Sequence, residues 1–108
     1  MSRELPPLVQ RTIQRLIRAF SPERIVLFGS YAKGAVHNGS DIDLLVIAKL
    51  EDSLIFQQRR ARQLAADCFP RIDIVLATPE DVLGAGEAKS PFLLSILESG
   101  IPLYTRPG

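Results

Sequence analysis

Three short β-branched apolar runs, alternating with segments of helical period in a chain of 108 residues, predict one α/β (α+β) domain built around a small sheet. After Pro6-Pro7, apolar residues recur at Leu8, Val9, Ile13, Leu16, Ile17 and Phe20 with Arg11, Arg15 and Arg18 between them, the rhythm of an amphipathic helix, which Ser21-Pro22 ends. Arg24 to Phe28 is an apolar run that reads as a buried strand and stops at Gly29-Ser30. Tyr31 to Lys33 has room for one helical turn, and Gly34, Asn38, Gly39 and Ser40 mark a loop. Asp41 to Ala48 is a second strand. Asp52-Ser53 can cap a helix with Leu54, Ala61, Leu64, Ala65 and Cys68 inward and Gln58, Arg59, Arg62 and Gln63 outward, closed by Pro70. Arg71 to Ala77 is a third strand. Thr78-Pro79 starts a short helix, Ser90-Pro91 a last one over Phe92 to Glu98, and after Gly100 the run Ile101 to Tyr104 is a candidate terminal strand.

Composition excludes several classes. Hydrophobic residues at 46% and charged residues at 23% exclude a wholly disordered chain. A net charge of +1 excludes a protein that coats polyanions by bulk charge. One cysteine, Cys68, excludes an intrachain disulfide framework or a multi-cysteine zinc site and fits a reducing compartment. No apolar stretch approaches the roughly 18 residues of a membrane span, and the N-terminus lacks the pattern of a signal peptide. The expectation is a soluble cytoplasmic protein with a single domain over residues 1–108.

The chemistry concentrates in Gly29-Ser30 followed, ten residues on, by Asp41-Ile42-Asp43. Strand alternation puts Asp41 and Asp43 on one face. Two like charges side by side repel unless a cation lies between them, and oxygen-only ligands suit Mg²⁺ or Mn²⁺. The bland alternative is a solvated strand start beside a loop. Glycine lets a backbone approach a phosphate closely, while a serine hydroxyl and the N–H groups of a helical turn donate to its oxygens. Asp73 is a third carboxylate between apolar strand residues, Ile72 and Ile74. If its strand lies beside that of Asp43 across a right-handed parallel crossover, the three acids converge. Three carboxylates can hold two metal ions, with Asp73 the general base.

Gly29-Ser30-Tyr31-Ala32-Lys33-Gly34 with Ser40-Asp41-Ile42-Asp43-Leu44-Leu45-Val46 resembles the signature of the minimal nucleotidyltransferases, small members of the DNA-polymerase-beta-like superfamily. Arg71-Ile72-Asp73-Ile74-Val75 is similar to the segment holding the third family acid, and the resemblance runs from about residue 10 to 104. Lys33 stands where arginine is commoner. The resemblance implies the nucleotidyltransferase fold, a small mixed sheet with flanking helices. It also implies Mg²⁺ as cofactor, ATP as donor, and an antitoxin that transfers AMP to a tyrosine of a partner HEPN-domain toxin. Metal ligands would be Asp41, Asp43 and Asp73, and the nucleotide would meet Gly29, Ser30 and Lys33. Other readings are an antitoxin that acts by binding alone, or transfer to RNA or a small molecule. RNA is disfavoured, since no aromatic stacking platform is apparent in the sequence and the net charge is only +1. In so small a domain the acceptor is expected to come from outside, as a docked protein, and a homo- or hetero-oligomer is compatible with the sequence.

Several residues keep two readings. Lys33 is either a phosphate contact or an exposed loop lysine, and Arg24 or Lys33 could balance a triphosphate. His37 reads as surface, Cys68 as core, and Arg59, Arg60 and Arg62 as a solvated helix face or a partner contact. Phe92, Leu93, Leu94, Ile96 and Leu97 are too many for one stripe of a short helix, so they fill a thin core or meet another chain.

Overall fold

The computed structural model describes residues 5–34, 41–51, 53–68, 71–85 and 91–107. In chain order the elements are α1 (Pro7–Phe20), β1 (Arg24–Phe28), α2 (Gly29–Ala32), β2 (Ile42–Ile47), α3 (Leu54–Leu64), β3 (Ile72–Ala77), α4 (Pro79–Ala85), α5 (Pro91–Ser99) and β4 (Ile101–Thr105). The candidate terminal strand is thus β4. The sheet has the order β3-β2-β1-β4. β1 is antiparallel to β2 and to β4, whereas β2 and β3, joined through α3, run parallel. The sheet is therefore mixed, with helices on both faces.

Alternation along the strands divides the core in two. Ile25, Leu27, Leu44, Val46, Ile72, Ile74 and Leu76 pack with Val9, Ile13, Leu16 and Phe20 of α1 and with Ala61 of α3. Val26, Leu45, Ile47 and Ala77 face the other way, against Leu93 and Ile96 of α5, with Val82 of α4 beside them. β2 is covered on both faces, which is why it reads as an unbroken apolar run from Leu44 onward. The apolar residues of α5 split accordingly: Leu93 and Ile96 are buried, Phe92 and Leu94 exposed. Gly100 turns the chain from α5 into β4, and a Cβ there would meet Val26 Cγ1 and the carbonyls of Ile96 and Leu27.

α3 departs from its expected orientation. Ser53 caps it, its side chain accepting from the Phe56 N–H, while Asp52 lies outside the described residues. Leu54, expected inward, is 53% exposed, and Gln57 is buried in its stead. The helix is level with Leu76 of β3 already at Gln58, so Leu54, a turn earlier, projects past the strand ends. Gln58, expected outward, donates through Nε2 to the Ile74 carbonyl at 2.6 Å and accepts through Oε1 from the Leu76 N–H at 3.4 Å. It thereby satisfies the open edge of β3 as another strand would. Gln58→Ala leaves both backbone groups without their partner and is expected to destabilise the domain by about 1–2 kcal/mol. Urea unfolding should show a lower midpoint at unchanged m-value. Pro70, expected to close α3, lies outside the described residues. Among the described residues no helix is long and apolar enough to cross a membrane.

Candidate functional site

The site lies where β1 ends and β2 and β3 begin. Antiparallel pairing places Phe28, the last residue of β1, opposite Asp43, and parallel pairing places Asp43 opposite Asp73. Residues paired across strands share a face. Phe28, Asp43 and Asp73 therefore stand side by side on the face that carries Leu45, Ile47 and Ala77 further along. There α5 covers the sheet through Leu93 and Ile96, and that cover gives out at the strand ends, leaving Asp43 and Asp73 partly exposed. Asp41 precedes β2 by one residue and is exposed. The crossover through α3 is thus what brings the third acid to the first two.

Gly29 is the other half of the arrangement. Its φ is +77°, a left-handed conformation, and a Cβ built on it would run into Oδ2 of Asp43. A residue with a Cβ would have to displace that carboxylate as well as adopt the left-handed φ. Ser30 follows within α2. Lys33 ends that turn, exposed, its N–H donating to the Gly29 carbonyl at 3.3 Å. Arg24 pairs with Ile47 at the opposite end of the sheet, so it does not balance charge at the acids. His37 and Ser40 lie outside the described residues.

Burial pushes the Asp43 carboxyl above its usual range, and the like charges of Asp73 and then Asp41 push it in the same direction. A raised folded-state pKa means that the native state binds this proton more tightly than the unfolded chain does. Asp43 therefore favours folding below its unfolded value of 3.8 and loses that contribution as pH rises through its folded value. Asp43→Asn removes the charge. In metal-free buffer at pH 7 it is expected to raise the thermal midpoint, with the difference from wild type closing as pH falls toward 4. Scanning calorimetry across that range measures it.

A half-buried carboxylate pressed by two others is a donor set that a divalent cation would relieve, and its oxygen-only composition suits Mg²⁺. Among the described residues, however, no three His, Cys, Asp or Glu side chains are gathered as a ready-made metal cage. The acids are neighbours in register and are not drawn around one point. Arg71 is a site residue not singled out from the sequence: its Nε lies 3.5 Å from Asp73 Oδ1, with the arginine exposed and the aspartate half-exposed. The pattern Arg71-x-Asp73 was the available signal, since strand residues two apart share a face. A groove of about 350 Å³ opens beside this pair, lined by Arg62, Ala65, Cys68, Arg71, Ile72 and Asp73 among others.

Residues 10–107 match the family model described as "Polymerase beta, Nucleotidyltransferase". The chain belongs to this nucleotidyltransferase family. Among its relatives is a Methanocaldococcus jannaschii protein named "Putative protein adenylyltransferase MJ1305", 34% identical over 87 residues. The alignment covers 76% of this chain and 58% of that protein, so the chain spans well under two thirds of the relative's length. Two solved toxin–antitoxin structures resemble this nucleotidyltransferase in fold. One is a toxin–antitoxin with AMP-PNP, with a TM-score of 0.61, 28% identity and coverage of 90% of this chain and 73% of that one. The other is a mutant of the toxin–antitoxin MntA-HpeT, with a TM-score of 0.59, 26% identity and coverage of 95% and 75%.

Proposed function

We propose that this chain transfers AMP from ATP to a tyrosine hydroxyl of a partner HEPN-domain toxin, in a Mg²⁺-dependent reaction, and so acts as that toxin's antitoxin. The observation that carries the reading is the pairing of Asp43 with Asp73 beside Gly29, whose missing Cβ leaves room for the Asp43 carboxylate. Support for the reaction class comes from the family and from the relative named as an adenylyltransferase. Support for the partner comes from the two toxin–antitoxin neighbours, one of them with AMP-PNP.

Asp41, Asp43 and Asp73 would hold two Mg²⁺ ions, which supply Lewis-acid polarisation of phosphoryl oxygens and offset the charge of the triphosphate. Gly29 lets a phosphate approach the backbone, and Gly29 with Ser30 holds the triphosphate, with Lys33 as a nearby point charge. Across the sheet the order is Gly29, Asp43, Asp73. The donor is held at the β1 side and the acceptor approaches from the β3 side, where the groove beside Asp73 opens. The acceptor oxygen attacks the α-phosphorus, pyrophosphate leaves, and the hydroxyl proton passes to Asp73. Arg71 orients the Asp73 carboxylate for that transfer.

Co-expression with the toxin proposed as its partner tests this reading. Wild type should add AMP-sized mass increments to a toxin tyrosine, and Asp41→Ala/Asp43→Ala should add none. A toxin that is neutralised by wild type yet carries no increment would identify an antitoxin acting by binding alone.

A further inference from the structure

We propose that Phe92 is the platform on which a purine base of the donor nucleotide stacks; this rests on the nucleotide site proposed above. Phe92 sits in the first turn of α5 and is 56% exposed, although Leu93 and Ile96 of the same helix are buried. Its ring is held in place by an edge-to-face contact with Phe28, with centroids 5.9 Å apart and planes at 85°. Such a pair fixes the orientation of a ring without covering all of it. Phe28 immediately precedes Gly29 and is the register partner of Asp43. The aromatic pair therefore borders the end of the sheet at which the phosphates and the acids meet, on the face the carboxylates share.

The other described aromatic rings are placed otherwise. Tyr31 is buried, and Phe20 packs in the opposite core beneath the Arg60 guanidinium. Tyr104 pairs with Ile25 toward the far end of β1, and Phe56 lies in the first turn of α3, which starts past the far ends of the strands. Phe92 is thus, among the described residues, the exposed ring at the site end. A flat apolar ring beside a phosphate site suits a nucleobase, whose stacking adds affinity that a bare triphosphate cannot gain. Purines, with the larger stacking surface, are the expected class.

The chain contains no tryptophan, so Phe92→Trp introduces a single indole reporter. With Mg²⁺ present, AMP-PNP should quench it and tripolyphosphate should not. Calorimetry of wild type, Phe92→Ala and Phe92→Tyr separates base from phosphates. The alanine variant is expected to bind AMP-PNP roughly five- to a hundredfold more weakly, with tripolyphosphate affinity unchanged, and tyrosine should restore binding. An alanine variant that binds AMP-PNP as wild type does, or that loses tripolyphosphate equally, overturns the stacking role. Wild type binding neither ligand overturns the nucleotide site itself, and the stacking role with it.

Discussion

Asp43→Asn is expected to lower nucleotidyl transfer by at least about a thousandfold while making the metal-free protein more heat-stable. The two effects share one cause. Asp43 stands between Asp73, its register partner, and Asp41, and burial and both neighbours resist its charge. Held ionised, it opposes folding of the free protein, and in the proposed site it would hold a cation; the amide relieves the repulsion and forfeits the charge. Losing several kcal/mol of charge stabilisation around a transferring phosphoryl group corresponds to about 10³ or more in rate. Single-turnover rates and calorimetry on the same preparations check both halves. Mg²⁺ should raise the melting temperature of wild type and leave that of the variant unmoved. A loss of less than tenfold would remove Asp43 from the centre of the mechanism.

Gly29→Ala is the second large effect, and it acts through backbone. A φ of +77° costs an L-residue roughly 1–2 kcal/mol. The added methyl would also occupy the space of Asp43 Oδ2. The carboxylate is the movable partner, so it is expected to swing away from the β1 side. The thermal midpoint should fall by roughly 4–16 °C for a domain of this size. Transfer activity at temperatures where the variant is fully folded should fall by at least about a hundredfold. Gly34→Ala also replaces a glycine with positive φ, +82°, but one that follows α2 rather than β1. It should reproduce much of the stability loss with little of the activity loss, separating backbone strain from displacement of the acid.

Much of this arrangement is legible in the chain because its signals are local. Alternation within Asp41-Ile42-Asp43 places two acids on a face, and the helix-length spacer before Asp73 permits the parallel crossover that the structure contains. The orientation of α3 is not local. Leu54 shares a stripe with Ala61 but overshoots the sheet, and Gln58 is polar yet turns inward because an edge strand needs partners for Ile74 and Leu76. Sequence period registers the stripe and says nothing of where the sheet ends. Arg24 shows the same limit: it is near Gly29 in sequence, yet a five-residue strand carries it to the far end of the sheet. Phe28 and Phe92 are far apart in the chain and meet only through the return of α5 across the second face.

The most direct measurement incubates the chain, the toxin proposed as its partner and Mg²⁺ with ATP labelled at either the α- or the γ-phosphate. α-Label alone should enter the partner, chelation of Mg²⁺ should prevent it, and Asp43→Asn should abolish it. Label entering from the γ-phosphate, or no label on a partner that the chain demonstrably binds, would contradict AMP transfer.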